Sequence, residues 1–319
     1  MKRINCLGVV VADALSKPLT RYPVPGEVTQ VITESIRFMP GGGAANTSAA
    51  LGQMGLSVSL FSKIGNDVIG EFVLNELKRS GVDVSHSCRS RNESTPFTYV
   101  AIHPDGNRTF IHTPGTNLSF SISEIDYRVL LNADFLLYQD IWVLPEIDGP
   151  TGADLLAEAR RRGVITLLDE CWGLGPNRGV WEQMLPHADY VLPSFDDMQA
   201  IYPGASPHDL IRRFQTYGVE NIILKMGKDG CLVSTNGNLT ALPSAATEII
   251  DTTGAGDCFD AGFIAGLAHG LPCVPAAKIG NLAAAACVRH IGGAVGIPPF
   301  QALLSELNSG KKWQHDEWL

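Results

Sequence analysis

Short apolar runs rich in β-branched residues recur along the chain at Ile4 to Val11, Ser57 to Ile64, Asp134 to Tyr138, Val164 to Asp169, Asp189 to Pro193 and Asn221 to Lys225. Each has the length of a strand and little polar alternation, as expected of strands buried on both faces. Between them lie longer segments with apolar positions at helical spacing, at about 43–55, 66–80, 151–162, 206–217, 255–269 and 274–290. Strands alternating with helices predict an α/β fold with a mostly parallel sheet covered on both faces. No internal repeat is visible.

Two stretches break the alternation, Val28 to Met39 and Thr95 to Thr113. The second contains Asp105-Gly106 between extended runs, a hairpin signal. Together they predict a small sheet outside the main body, placed as a lid over a pocket; the alternative is a pair of edge strands on the main sheet. The expected organisation is one domain over 1–319, with lid segments at about 14–39 and 95–116 inserted in it. The polar tail from Asn308, with Trp313 and Trp318, carries no prediction beyond packing of its indoles on the body or a partner.

Composition supports a globular chain: 319 residues, 45% hydrophobic and 18% charged, are enough to bury a sizeable core. A net charge of −9 argues against non-specific binding to nucleic acid or an anionic membrane, which need a basic excess. Cys6, Cys88, Cys171, Cys231, Cys258, Cys273 and Cys287 are odd in number and scattered, without a C-x-x-C pair or zinc spacing, which predicts a reduced, cytoplasmic protein. Met1-Lys2-Arg3 and the apolar run behind it superficially resemble a secretory signal, but the run is short and is soon interrupted by Asp13, so a first buried strand is the expectation. No apolar stretch reaches the ~18 residues that span a bilayer.

Chemistry concentrates in Asp251-Thr252-Thr253-Gly254-Ala255-Gly256-Asp257, which opens an apolar helix. Small residues let a ligand approach the backbone, and a helix start offers N–H donors at the positive end of the macrodipole. Such a cradle suits phosphoryl transfer, where charge spreads over the oxygens of the transferring group. Asp257, in the first turn, is placed to accept a proton from an attacking hydroxyl. The competing reading is structural: Thr253 caps the helix and Asp257 complements the dipole. Gly41-Gly42-Gly43-Ala44-Ala45-Asn46 leads into another small-residue helix, with Asn46 offering a donor and an acceptor to a hydroxyl or else capping the helix. Neither segment completes G-x-G-x-x-G, and G-x-x-x-x-G-K-[ST], G-x-S-x-G and H-E-x-x-H are absent from the sequence.

The glycine-rich stretch Gly41 to Gly55, paired with Asp251 to Asp257, resembles the two signatures of the ribokinase-like (PfkB) carbohydrate kinases. The resemblance runs through Asp13, Asp105 to Thr109, Lys225 to Gly230 and Asn281, nearly the whole chain. It implies a three-layer α/β/α sandwich with a β-sheet lid, and transfer of the ATP γ-phosphoryl group to a hydroxymethyl group of a sugar with Mg²⁺. Homodimerisation through the lid is a further expectation, since an exposed small sheet leaves edges and an apolar face to cover.

Position by position, the resemblance makes Asp257 the base and the amides of Gly254, Ala255 and Gly256 the anion hole. An alcohol is a weak acid, so Asp257 would orient the hydroxyl and take its proton as the bond to phosphorus forms. Asp13, Gly42, Gly43 and Asn46 match sugar-binding positions. Asp140 is a weaker substrate candidate, with capping as its alternative. Lys225, Gly227 and Gly230 match a turn lying along ATP, Asn281 a position beside the adenine, and Ser194 a nucleotide-side residue. Arg108 either pairs with a phosphate or acidic substrate or stays solvated, and solvation is the expectation. Asp197 stands in the Mg²⁺–phosphate network, where Ser194-Phe195-Asp196-Asp197 replaces the more usual N-x-x-E. Asp251, Thr253 and Gly293 match the monovalent-cation site of K⁺-activated members, but Ile297 stands where a hydroxyl is usual and leaves K⁺ dependence open. A nucleoside kinase of the same fold is the alternative, favoured if Phe97, Tyr99 and Phe110 line the pocket, and a sugar or nucleotide sensor without turnover is a third reading.

Overall fold

The computed structural model describes residues 2–24, 26, 28, 30–105, 108–171 and 175–309. Gly106 and Asn107 of the lid turn, and Trp313 and Trp318 of the tail, lie outside the described residues. The chain enters through β1 (Arg3–Leu7), leaves the body as β2 (Val11–Leu19) and β3 (Thr33–Gly41), and returns through α1 (Gly43–Gln53) to β4 (Ser57–Phe61). Next come β5 (Lys63–Gly65), α2 (Val68–Arg79), β6 (Val82–Asp83) and β7 (Cys88–Ser90), then β8 (Phe97–Ile102) and β9 (Arg108–Thr113), which leave the body again. The second half runs α3 (Tyr127–Leu130), β10 (Phe135–Ile141), α4 (Pro150–Arg161), β11 (Ile165–Glu170), α5 (Arg178–Met184), β12 (Tyr190–Val191), α6 (Phe195–Ile201), α7 (Pro207–Thr216) and β13 (Asn221–Lys225). It closes with β14 (Cys231–Thr235), β15 (Asn238–Leu242), α8 (Ala255–Ala268), α9 (Cys273–Cys287) and α10 (Phe300–Leu307).

The main sheet has the order β15-β14-β13-β12-β11-β10-β1-β4-β6. It is parallel from β6 to β13, and β14 and β15 add an antiparallel edge. Period-two alternation sends Ile4, Cys6, Phe135, Leu137, Leu167 and Ile223 to one face, beneath α1, α2, α8, α9 and α10. Leu7, Leu136, Tyr138, Leu168, Ile222 and Leu224 go to the other, beneath α3 to α7. Both faces are therefore dry, which accounts for continuous apolar runs. Strand order reverses at β1, which lies between β4 and β10, and the crevice beyond the carboxyl ends of such strands is where ligands bind in open α/β sheets.

The lid is a separate four-stranded sheet of order β3-β2-β8-β9, so the edge-strand alternative fails. Two predicted strands are in fact split. Ile4 to Val11 breaks after Leu7, where the Val9 amide turns to donate to Asp140 Oδ2, and β2 begins the lid at Val11. Ser57 to Ile64 breaks at Ser62, and β5 pairs with β7 instead. The β14–β15 hairpin adds a pair of strands that the apolar runs do not announce, although its turn carries a signal: Asn236 and Gly237 have φ of 50° and 75°, the conformation that Asn-Gly supplies in a type I′ turn. Helices α5 and α6 have 7 residues each, too few for a periodic signal.

Candidate active site

The first two functional segments meet at the switch point. Asp140, at the end of β10 with φ of 69°, accepts from the Gly43 amide at 2.9 Å through Oδ1, and from Val9 and Ala44 at 2.8 and 3.0 Å through Oδ2. It thus caps α1, whose N-cap Gly42 has no side chain to do so. Burial first, and Asp257 second, push its carboxyl up to about 7 despite these amides.

Gly254 holds the start of α8 at φ of 72°, and a Cβ there would stand 2.7 Å from Gly293 Cα, so only glycine fits. The Ala255 amide donates to Thr252 O at 3.2 Å, and Gly256 is exposed. Asp257, in the first turn, accepts from Asn46 Nδ2 at 2.8 Å and from Gln139 Nε2 at 3.0 Å. Burial pushes its carboxyl up to about 6, opposed by the Asn46 hydrogen bond and reinforced by Asp169. The result is an oriented carboxylate that is ionised at neutral pH and still basic.

Behind it lies an acid cluster. Gln139 Nε2 also reaches Asp169 Oδ2 at 3.3 Å, while Lys225 Nζ donates to Asp169 at 2.9 Å and to both oxygens of Asp260 at 3.2 Å. Burial opposes the charge on Lys225, but Asp169 and Asp260 raise its pKa and keep it protonated. Its ammonium is spent inward, 3.6 Å from where a Cβ on Gly256 would stand, so it underlies the start of α8 and is not presented along the 227–230 turn. Glu170 accepts from the Ser194 amide at 2.8 Å, and its Oε2 is buried without a partner. Asp197, in the first turn of α6, has its pKa raised by burial and then by Asp169. Among the described residues no three His, Cys, Asp or Glu side chains form a metal cage. Mg²⁺ in phosphoryl transfer needs only one or two carboxylates beside substrate phosphates and water, and the orphaned Glu170 oxygen with Asp197 fits that requirement.

A third group joins the lid to the helix start. Arg108, at the beginning of β9, donates to Asp251 Oδ1 at 3.0 Å and to Thr253 Oγ1 at 3.1 Å. It is paired with the turn while 30% of its side chain stays exposed, so the expected solvated charge is met only in part. Asp251 Oδ1 also accepts from Thr253 N and Oγ1, and Oδ2 accepts from the Gly292 amide at 2.9 Å. The Cys287 thiol lies against the carbonyl oxygens of Gly293 and Thr253 at 3.0 and 3.5 Å.

Between lid and body is a cavity of about 350 Å³. Its wall is largely apolar, with Val9, Val11, Leu15, Val100, Phe110 and Val143, and its polar groups include Asp13, Thr98, His112, Asn117, Asp140 and Thr253. Register explains the selection: Asp13 is opposite Thr98, Leu15 opposite Val100, and Val100 opposite Phe110, so these share one lid face. Phe97 and Tyr99 fall on the other face and do not line the cavity. Burial pushes Asp13 up to about 6, against a hydrogen bond from Thr98. Of the expected sugar-binding positions, Asp13, Gly42 and Asp140 line the cavity, whereas Gly43 and Asn46 stand behind it, holding Asp140 and Asp257. On the other side, Gly227 and Gly230 shape the turn after β13, with φ of 54° and 92°. Asn281 is buried and donates to Pro243 O at 3.1 Å, a structural bond for its amide.

Gln139, Asp169, Glu170 and Asp260 join the site only in the folded protein. A sequence signal exists for three of them, since acidic residues at the carboxyl end of an apolar parallel strand, or inside an apolar helix face, are buried charges in need of a reason.

This arrangement, a glycine-opened helix start with an oriented carboxylate facing a lidded cavity, is that of a phosphotransferase of α/β fold. The pfkB family carbohydrate kinase model matches residues 1–299, and the chain belongs to that family. A ribokinase from Haemophilus influenzae is 25% identical over 96% of this chain and 98% of its own. A 2-dehydro-3-deoxygluconokinase from Escherichia coli K12 is 28% identical over 80% and 89%. A ribokinase from Arabidopsis thaliana, solved with ribose and ATP, superposes with a TM-score of 0.83 at 22% identity, over 96% of this chain and 98% of that one. The protein is thus a carbohydrate kinase with the ribokinase-like fold, as its paired glycine segments predicted.

Proposed function

We propose that the kinase transfers the γ-phosphoryl group of ATP to a hydroxymethyl group of an uncharged sugar, with Asp257 as base. The observation that carries this is the placement of the Asp257 carboxylate by Asn46 and Gln139 in the first turn of a glycine-opened helix. Asp257 takes the hydroxyl proton as the oxygen bonds to the γ-phosphorus, and the bond to the bridging oxygen breaks with its electron pair leaving on ADP. The Gly254 and Gly256 amides and the α8 dipole stabilise charge on the transferring group, with the Lys225 ammonium beneath them. Glu170 and Asp197 would hold Mg²⁺, which neutralises phosphate charge when bound. Asp13 accepts hydrogen bonds from acceptor hydroxyls, with Gly42 beside it.

The lining supports a neutral acceptor. It has no lysine or arginine among the described residues, and Asp13 faces it, so a sugar phosphate or sugar acid would add unbalanced negative charge. Only Phe110 of the three candidate aromatics lines the cavity, which favours a sugar over a base-bearing nucleoside. A coupled ADP-release assay with Mg-ATP against pentoses, hexoses, ketoses, sugar acids, sugar phosphates and nucleosides tests this. Preferred turnover of a neutral sugar is expected, and preference for an anionic acceptor or a nucleoside refutes the acceptor class. The reading extends to a cytoplasmic homodimer joined through the lid, where Ile36, Phe38 and Ile111 are exposed; a monomer in sedimentation equilibrium overturns the dimer.

A further inference from the structure

We propose that Arg108 is a lid-borne cation that takes the place of a monovalent metal ion at the Asp251–Thr253 turn and ties lid closure to the shape of the α8 start. The inference rests on the kinase reading for its catalytic consequence, but its structural basis is independent of the acceptor.

Asp251 is 3% exposed, and a carboxylate so buried needs hydrogen bonds, an opposite charge or both to offset its desolvation. The residues expected to supply a monovalent site are each already engaged. Asp251 Oδ1 takes the Arg108 guanidinium at 3.0 Å together with the Thr253 amide and hydroxyl, and Oδ2 takes the Gly292 amide. The carbonyls of Thr253 and Gly293 face the Cys287 thiol, and Ile297, buried and apolar, brings no oxygen side chain. These donors do not fit a cation cage, and the positive charge that one would contain is already present on Arg108.

That charge comes from 143 residues away in the chain, on the lid. Arg108 also binds Thr253 Oγ1, and Thr253 directly precedes Gly254, the left-handed residue that opens α8. Displacing β9 from the body therefore breaks an ion pair and a hydrogen bond at the turn that positions the α8 amides. Arg108 acts through that turn as a positioning residue.

The test compares the full-length wild type, Arg108→Ala and Arg108→Lys in KCl, NaCl and tetramethylammonium chloride at equal ionic strength. For the wild type, turnover is expected to agree within about twofold across the salts and the unfolding midpoint within about 1 °C. Arg108→Ala is expected to lose about tenfold or more in kcat without KCl, with a smaller change in acceptor KM, and to regain rate and thermal stability specifically in KCl. Arg108→Lys keeps the charge and is expected to stay insensitive to the salt, with a rate between the other two. K⁺-specific acceleration of the wild type, or an Arg108→Ala variant indifferent to K⁺ in both rate and midpoint, overturns the proposal. Should no acceptor be turned over, the kinase reading fails, while the unfolding midpoints still decide the role of Arg108.

Discussion

Replacing Asp257 by asparagine separates catalysis from stability in a way that the structure makes quantitative. Burial pushes the native carboxyl from 3.8 to about 6, so the folded protein holds this proton more tightly than the unfolded chain does. Stability from this group is therefore full below about pH 4 and is lost as pH rises through about 6. At about 1.36 kcal/mol per pKa unit, the whole loss is about 3 kcal/mol. Partial exposure of the side chain, and a practical range from about pH 4.5 to 8, bring the measurable part to about 2 kcal/mol. The amide of the Asp257→Asn variant has no such titration. It meets two donors, Asn46 Nδ2 and Gln139 Nε2, with one oxygen instead of two, and the donor left facing its NH₂ group costs about 1–3 kcal/mol with little dependence on pH. Urea unfolding of both proteins between about pH 4.5 and 8 should show the variant gaining about 2 kcal/mol on the wild type as pH rises. Turnover should fall by about 10² to 10⁴, the usual contribution of a positioned base, and wild-type kcat/KM should rise with pH to a plateau above about 6. A stability difference independent of pH refutes the raised carboxyl, and near-normal turnover in the variant refutes the base.

Lys225→Met leaves Asp169 and Asp260 buried without their cation and should destabilise the protein by about 3–5 kcal/mol. Because the native Asp260 carboxyl is raised by burial and Asp169, protonation relieves part of that cost, so urea midpoints should differ less at acid than at alkaline pH. Asp13→Asn should raise acceptor KM by about 10- to 100-fold, the loss of a charge-assisted bond, with ATP KM unchanged in the same initial-rate series. Phe110→Ala should weaken acceptor binding through lost apolar contact and leave kcat nearly intact, as read from the same steady-state data.

Much of the fold is legible in the sequence because its signals are local. Strand runs such as Val164 to Asp169 and helices such as 206–217 announce themselves through period and length, and α7 adds a capping box at Ser206 and Asp209. The start of α8 is equally plain, since glycine at 254 and a carboxylate in the first turn are properties of one short segment. Two stretches that break the alternation announce the lid strands, while the pairing β3-β2-β8-β9 is what makes them a separate sheet. The broken strand at Leu7 is not legible, because it depends on Asp140, far along the chain, capturing the Val9 amide.

The site's working contacts belong to the tertiary structure. Gln139 and Asp257 are 118 positions apart, Arg108 and Asp251 143, and no local propensity encodes either encounter. Which lid residues face the cavity is set by strand register: Phe110 points in and Tyr99 points away because side chains alternate and β9 is paired with β8 in one register only. Likewise Lys225, read from its segment as a residue of the nucleotide turn, is drawn inward because β11 and α8 bring two carboxylates to the end of β13. The chain by itself determined most of its longer elements, its family and the segment bearing Asp257. Only packing decided what that carboxylate is held by, which charges surround it and which lid residues face the cavity, because those are relations between residues that only the folded chain brings within hydrogen-bonding distance.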